Sequence, residues 1–133
     1  MKKTRVYIGG VFDLFHVGHL RLLKKAKELG DILIVGLLND NACKNWKREP
    51  IISYKQRFEI IKEFADVVLE QEDVDETKNE FIDSFNPDII IHGSDKKPFS
   101  WNWAKKNKKK VIMLPYTKEV STTKIIEKIK NEN

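Results

Sequence analysis

A single cysteine, Cys43, stands in this sequence. That excludes an intrachain disulfide and fits a reducing, cytoplasmic setting. No apolar run approaches the roughly 20 residues that a membrane-spanning helix needs. Histidine is also scarce, at three residues. A protein zinc centre takes three or four ligands, and only His92 and scattered carboxylates stand ready to join the other two imidazoles, so no metal-ligating residues are assigned. Internal repeats and linkers are absent, and the Lys105–Lys110 cluster is the one low-complexity segment. One domain over residues 1–133 is therefore expected. The basic start, Met1-Lys2-Lys3-Thr4-Arg5, precedes an apolar stretch broken by glycines and Asp13, the pattern of a strand rather than a signal peptide.

What the chain does contain is the balance of a globular protein, with 41% hydrophobic and 34% charged residues. The net charge of +5 favours anionic partners without naming them, since nucleic acid, acidic membranes and nucleotides all qualify. A merely solvated basic face gives the same number.

Short β-branched runs alternate with amphipathic stretches. A first strand is expected over about 5–9 and a helix from about Gly18 to Leu29, with Gly30 as its left-handed C-terminal residue. Ile32–Val35 reads as a strand covered on both faces. Residues 39–50 are polar and read as irregular. A helix then starts near Ser53, its N-cap, and buries Phe58, Ile61 and Phe64. Val67–Leu69, Ile89–Ile91 and Val111–Leu114 read as three further strands. Helices fall around Phe81–Phe85, Trp101–Lys106 and from Ser121–Thr123 onward, the last burying Ile125, Ile126 and Ile129. This order predicts an α/β fold: a Rossmann-like, doubly wound, five-stranded parallel sheet with right-handed crossovers.

In such a sheet ligands sit beyond the carboxyl ends of the strands. The segment Gly10-Val11-Phe12-Asp13-Leu14-Phe15-His16-Val17-Gly18-His19 lies where strand one becomes helix one. Free backbone N–H groups and the helix dipole favour an anion there, and imidazoles add donors tunable near neutral pH. Three more loops meet the same edge. One holds Asn39, Asp40, Lys44, Lys47 and Arg48; another reads His92-Gly93-Ser94-Asp95; the last runs from Tyr116 to Val120 into Ser121-Thr122-Thr123 at a helix N-terminus. Cations, hydroxyls, imidazoles and N–H groups together suit a polyphosphate.

The pattern Gly-x-Phe-Asp-Leu-Phe-His-x-Gly-His at 10–19 and Ser-Thr-Thr-Lys-Ile at 121–125 closely resemble the two signature segments of the cytidylyltransferase family, within the HxGH nucleotidyltransferases, and most of all its glycerol-3-phosphate branch. The resemblance extends through Gly30-Asp31, the Asp40–Lys47 loop, Arg57 and Gly93-Ser94-Asp95. It implies transfer of CMP from CTP, with Mg²⁺, to a small phosphomonoester, and a homodimer. It further implies that His16 and His19 contact the nucleotide phosphates and stabilise the transition state, while Lys47 bridges the α-phosphate and the acceptor, assisted by Lys44. Arg57 would hold the acceptor phosphate or the loop that does. Ser121, Thr122 and Thr123 would cradle the β- and γ-phosphates. Gly10, Val11 and Phe12 would offer backbone contacts beside Gly18, and Asp13 would orient the loop. Gly93 and Asp95 would lie near base and ribose.

Two departures from the family pattern stand out. Tyr116-Thr117-Lys118-Glu119 replaces the usual Arg-Thr-Glu-Gly, and Lys96 stands where an aromatic is common. Within the same chemistry, the rival is an adenylyltransferase using ATP with a sugar phosphate or FMN-like acceptor. In another class, Trp101 and Trp103 beside Lys105–Lys110 are the makings of a single-stranded nucleic-acid grip. The same tryptophans otherwise cover the sheet or a subunit contact.

Overall fold

The computed structural model describes residues 2–93, 96–114 and 120–132. Its strands are β1 (Arg5–Gly10), β2 (Ile32–Leu38), β3 (Val67–Gln71), β4 (Ile89–His92) and β5 (Lys110–Met113). Its α-helices are α1 (Val17–Glu28), α2 (Asp40–Trp46), α3 (Tyr54–Ile61), α4 (Phe81–Phe85), α5 (Trp101–Lys106) and α6 (Thr122–Asn131), with a 3₁₀ turn at Lys78–Glu80. All strand pairs are parallel and the spatial order is β3-β2-β1-β4-β5. β1 is thus the central strand, and the chain order reverses between β1 and β4. In open α/β sheets that reversal opens a crevice at the carboxyl ends, flanked here by the loops after β1 and β4.

Alternation along β1 sends successive side chains to opposite faces. Val6 and Ile8 join Leu23, Ala26, Leu33, Val35 and Ile61 in one core, under α1 and α3. Tyr7 points the other way, into a second core with Ile34, Ile82, Ile90 and Ala104, partly covered by Trp103. The Trp103 indole N–H also donates to Asp83 at 2.9 Å. That tryptophan covers the sheet, as one of the two sequence readings held.

Four expectations need correction. Residues 40–46 are helical, not irregular. Asn39 caps this helix by accepting from the Ala42 N–H at 2.8 Å, and only the small residues Ala42 and Cys43 bury against Leu38. Two small apolar side chains leave too faint a periodicity to read. Gly30 has no positive φ; a Cβ there would lie 2.5 Å from Val6 Cγ2 and 3.0 Å from the Thr4 carbonyl oxygen, so close packing demands the glycine. Ser53 makes no side-chain cap bond; the Asp40 carboxylate accepts the Tyr54 N–H at 3.0 Å instead. Finally, no residue of α6 is buried, and Ile129 is 57% exposed.

Gly9 and Gly36 pair across β1 and β2 and clear space for a buried polar contact. There the Tyr7 hydroxyl donates to Gln71 Oε1 at 2.6 Å. A Cβ on Gly36 would collide with that Gln71 oxygen and come within 2.9 Å of the Tyr7 ring. Gly36→Ala is therefore expected to lower the unfolding free energy by about 1–3 kcal/mol, measured by urea denaturation. An unchanged midpoint would show that this space is not needed.

Candidate functional site

The β1–α1 loop is shaped by two residues that sit in the left-handed region, Phe12 at φ 53° and Leu14 at φ 49°. Such a backbone persists only when its surroundings hold it, and here the surroundings are plain. The Asp13 side chain, 2% exposed, accepts the N–H groups of Ile51 and Ile52, each at 2.8 Å. Arg48 Nη1 reaches the same carboxylate at 3.3 Å. The Asp13 backbone carbonyl accepts the Thr122 hydroxyl at 2.8 Å. One residue therefore ties the histidine loop to the 48–52 segment and to the N-terminus of α6.

His16 is the N-cap of α1: its Nδ1 accepts the Gly18 N–H at 3.0 Å. The His16 N–H in turn donates to His19 Nδ1 at 3.2 Å. A Cβ at position 18 would lie 2.9 Å from His16 Cε1, so the glycine between the histidines lets the first ring fold over the helix end. With both Nδ1 atoms accepting, each neutral ring carries its proton on Nε2, and neither Nε2–H has a hydrogen-bond acceptor among the described residues. The rings stack at 3.8 Å between centroids, and Phe12 and Phe15 press on His19 at 5.3 and 5.5 Å. Burial first, and then the neighbouring His16, lower the His19 pKa to about 4, with Asp13 opposing them in part. Burial lowers the His16 pKa as well. At neutral pH the site offers uncharged imidazole donors.

At the start of α6, Ser121 caps through its hydroxyl oxygen, which accepts the Lys124 N–H at 3.1 Å. The Thr122 and Thr123 N–H groups have no acceptor among the described residues, so this helix end also presents donors. Lys44 lies on α2 and Lys47 is its C-cap; both are exposed, and Lys47 Nζ sits 4.8 Å over the Trp46 ring. Val11 gives its carbonyl to Arg57, and Gly10 ends β1. Gly93 directly follows β4. Asp95, expected near base and ribose, lies outside the described residues, as do Ser94 and the Tyr116–Glu119 segment.

Arg57 is 1% exposed, and its guanidinium is committed internally. It donates to the carbonyls of Ile52, Val11 and Leu38 and to Asp40 Oδ1, at 2.8–2.9 Å. Of the two roles the resemblance implies, this geometry is that of a strut joining the carboxyl ends of β1 and β2 to α2 and α3. Asp40 and Arg48 lie in the polar stretch after β2, and the sequence alone assigns them no role. Their partners lie 17 and 35 residues away, and no local spacing announces such pairs.

The cytidylyltransferase-like family model matches residues 7–128. This chain belongs to the cytidylyltransferase-like family. The cytidylyltransferase-like protein is 40% identical over 141 residues to the FAD synthase of Thermococcus sibiricus, covering 96% of this chain and 93% of that one. It is 40% identical over 96 residues to the ethanolamine-phosphate cytidylyltransferase of Dictyostelium discoideum, covering 71% of this chain but only 26% of that protein. A solved structure of a lipopolysaccharide core biosynthesis protein from Thermoplasma volcanium superposes with a TM-score of 0.70 at 30% identity, covering 87% of this chain and 98% of that one.

Two outcomes follow for this cytidylyltransferase-like protein. Arg57→Lys is expected to cost about 2–4 kcal/mol of unfolding free energy, because a lysine cannot reach these acceptors together. Denaturant titration checks this; unchanged stability with weaker acceptor binding would put the guanidinium on the acceptor instead. The second outcome concerns pH. An unfolded imidazole titrates near 6.5, whereas folded His19 binds its proton only near 4. Its contribution to stability is complete above pH 6.5 and is lost as pH falls from 6.5 towards 4. NMR titration should place the His19 midpoint near 4, and His19→Asn should flatten the decline in stability over that window. A midpoint near 6.5 would contradict the assigned burial.

Proposed function

We propose that this protein transfers a nucleoside monophosphate from a nucleoside triphosphate to the phosphate of a small phosphomonoester, releasing pyrophosphate. The observation that supports this most directly is the pair of neutral imidazoles, each with Nδ1 occupied and Nε2–H open. They stand on a loop tied by Asp13 to the start of α6. Donors fixed before substrate arrives stabilise developing charge without reorganising.

In the reaction, an acceptor phosphate oxygen attacks the α-phosphorus and forms the new P–O bond. The bond between the α-phosphorus and the bridging oxygen breaks, and pyrophosphate leaves with that electron pair. A phosphomonoester has a second pKa of about 6, so the nucleophile is already ionised and needs no general base. His16 and His19 donate to the phosphates around the reacting phosphorus. The N–H groups of Thr122 and Thr123, with the Ser121 hydroxyl, hold the β- and γ-phosphates. Lys47 and Lys44 bring charge to the α-phosphate and the acceptor. Gly10, Val11, Phe12 and Gly18 shape the loop, and Gly93 and Asp95 lie towards base and ribose. Mg²⁺ enters on the triphosphate as part of that substrate. No group of three or more His, Cys, Asp or Glu side chains able to hold a metal occurs among the described residues.

In this proposal CTP is the donor and a phospho-alcohol such as glycerol-3-phosphate the acceptor, a reading supported by the two signature segments. A second reading, ATP with FMN, is favoured by a specific observation: the FAD synthase match spans nearly the whole of both chains. A homodimer and a cytoplasmic location belong to the proposal too. No helix among the described residues is long and apolar enough to cross a membrane.

A matrix of CTP and ATP against glycerol-3-phosphate, phosphoethanolamine and FMN, with Mg²⁺ and pyrophosphate detection, tests the reaction and separates the two readings. One donor should give acceptor-dependent release, and His16→Ala and His19→Ala should each lower kcat by about 10²–10³-fold while circular dichroism stays unchanged. Absence of release from folded protein with every pair, together with salt-dependent oligonucleotide binding, would favour the nucleic-acid reading instead.

A further inference from the structure

β3 lies at the edge of the sheet, beside β2. Its last residue, Gln71, is nevertheless 2% exposed and reaches past β2 to the central strand. The Tyr7 hydroxyl donates to Gln71 Oε1 at 2.6 Å, through the space that Gly36 leaves open. Gln71 Nε2 donates in turn to the Asp73 carbonyl at 2.9 Å. Burial, and after it the charge of Glu76, push the Tyr7 hydroxyl well above its ordinary pKa, so it remains a donor. A buried hydrogen-bonded pair gains little over an apolar pair of the same shape, and glycine weakens a strand interior. Core packing alone gives no reason for this arrangement. What it holds is the end of β3.

The end of β3 carries the start of α2. The Gln71 carbonyl accepts the Asn39 N–H at 3.0 Å, and Asn39 Nδ2 donates to Glu70 Oε2 at 3.0 Å. Asn39 then caps α2: its side-chain oxygen accepts the Ala42 N–H at 2.8 Å and its carbonyl the Cys43 N–H at 3.1 Å. This helix has seven residues and buries only Ala42 and Cys43. Short helices depend on what they are fastened to, and so little packing area leaves the direction of α2 to its polar holds. Asn39 is held from β3, and Asp40 from Arg57. The helix is also placed against the histidine loop at both ends. Arg57 takes the Val11 carbonyl at 2.8 Å, and Arg48, the residue after Lys47, reaches Asp13 at 3.3 Å.

We propose that Gln71 is a positioning residue for the cations of α2: anchored on Tyr7 of the central strand, it fixes Asn39 and so sets where Lys44 and Lys47 meet the reacting phosphates. This rests on the nucleotidyl-transfer reading, in which those lysines bring charge to the α-phosphate and the acceptor while the histidines and α6 hold the phosphates of the donor. Buried as it is, Gln71 acts through the lysines. A misplacement of about 1 Å at a group that positions or stabilises a transition state costs up to about 10²-fold in rate. Loss of the tether is accordingly felt in kcat and the acceptor KM, not in the donor KM.

Gln71→Met alone leaves the Tyr7 hydroxyl buried without an acceptor, and the resulting loss of stability says nothing of position. Tyr7→Phe combined with Gln71→Met replaces both partners by apolar groups of similar shape, and this paired variant is the test. Should it not fold, Tyr7→Phe with Gln71→Leu serves in its place. With circular dichroism unchanged, the pair should lower kcat/KM for the acceptor about ten-fold or more and leave the donor KM within about two-fold. In a background that already carries Lys44→Ala and Lys47→Ala, the same pair should change kcat/KM by less than about two-fold, because residues that act through one another are not additive. An undiminished kcat/KM, a donor KM raised as much as the acceptor KM, or an equal loss with and without the lysines would overturn the proposal. Amide exchange at Ala42 and Cys43 reads the tether with no substrate present. It should be about ten-fold faster in the paired variant than in the wild type, and equal rates would refute the tether. If no donor and acceptor react with the wild type, the nucleotidyl-transfer reading fails by itself, while the exchange comparison still judges the hold on α2.

Discussion

Everything at the carboxyl edge of this sheet depends on the buried residue Asp13. Its carboxylate is satisfied by two backbone N–H groups and an arginine, and its carbonyl by a threonine hydroxyl. A carboxylate withdrawn from water must be compensated by several donors at once, and the donors come from two different segments of the chain. The compensation therefore sets the relative placement of the β1–α1 loop, the 48–52 segment and α6. The left-handed backbone at Phe12 and Leu14 is strain that this arrangement can hold. Arg57 repeats the logic in the opposite charge. It gathers carbonyls from the ends of β1 and β2 and pairs with Asp40, so that α2 and its lysines are carried on a rigid mount.

The state of the histidines follows from the same packing. A protonated imidazole would lose Nδ1 as an acceptor, and with it the cap on α1 and the link between the two rings. Phe12, Phe15 and the stacked partner ring remove water from His19, which is the largest cause of its lowered pKa. Local structure and electrostatics thus agree on neutral rings with Nε2–H free. Positive charge stands on different residues, the exposed lysines of α2. In the proposed reaction the fixed, uncharged donors serve where geometry is tight, and flexible ammonium groups serve where charge must follow the substrate.

Much of this was legible in the sequence, for identifiable reasons. The strands of a doubly covered parallel sheet are continuous apolar runs, and the histidine loop and terminal Ser-Thr-Thr follow one another in a recognisable order. Elements that depend on distant partners were not legible. α2 has only Ala42 and Cys43 to bury, and its cap and its tie to Arg57 come from across the fold. Arg57 is singled out by the resemblance as holding the acceptor phosphate or the loop that does, but nothing nearby in the sequence shows that three carbonyls will surround it. The stripe on α6 was readable as a periodicity, but not how little would cover it: Ile129 stays exposed. Gly30 carried a sound local signal for a turn, while the close approach of Val6 is a tertiary fact.

The relatives that this chain resembles carry different substrate names, and the described core of the site does not choose between them. The two imidazoles and the α6 N–H groups, tied together through Asp13, are donors suited to phosphate oxygen, and the exposed Lys44 and Lys47 are cations suited to the same oxygens. None of these chemistries distinguishes cytosine from adenine, or a phospho-alcohol from a flavin phosphate. Discrimination needs contacts to the base and to the organic part of the acceptor, and the elements free to vary for that are the loops that leave the sheet after β2 and β4. Of these, the β4 loop is fastened at Ser100 by Glu76 from the β3–α4 connection, not by the histidine loop. The edge with the histidines is locked through Asp13, while Ser100, where the loop after β4 meets α5, rests on a separate buried carboxylate.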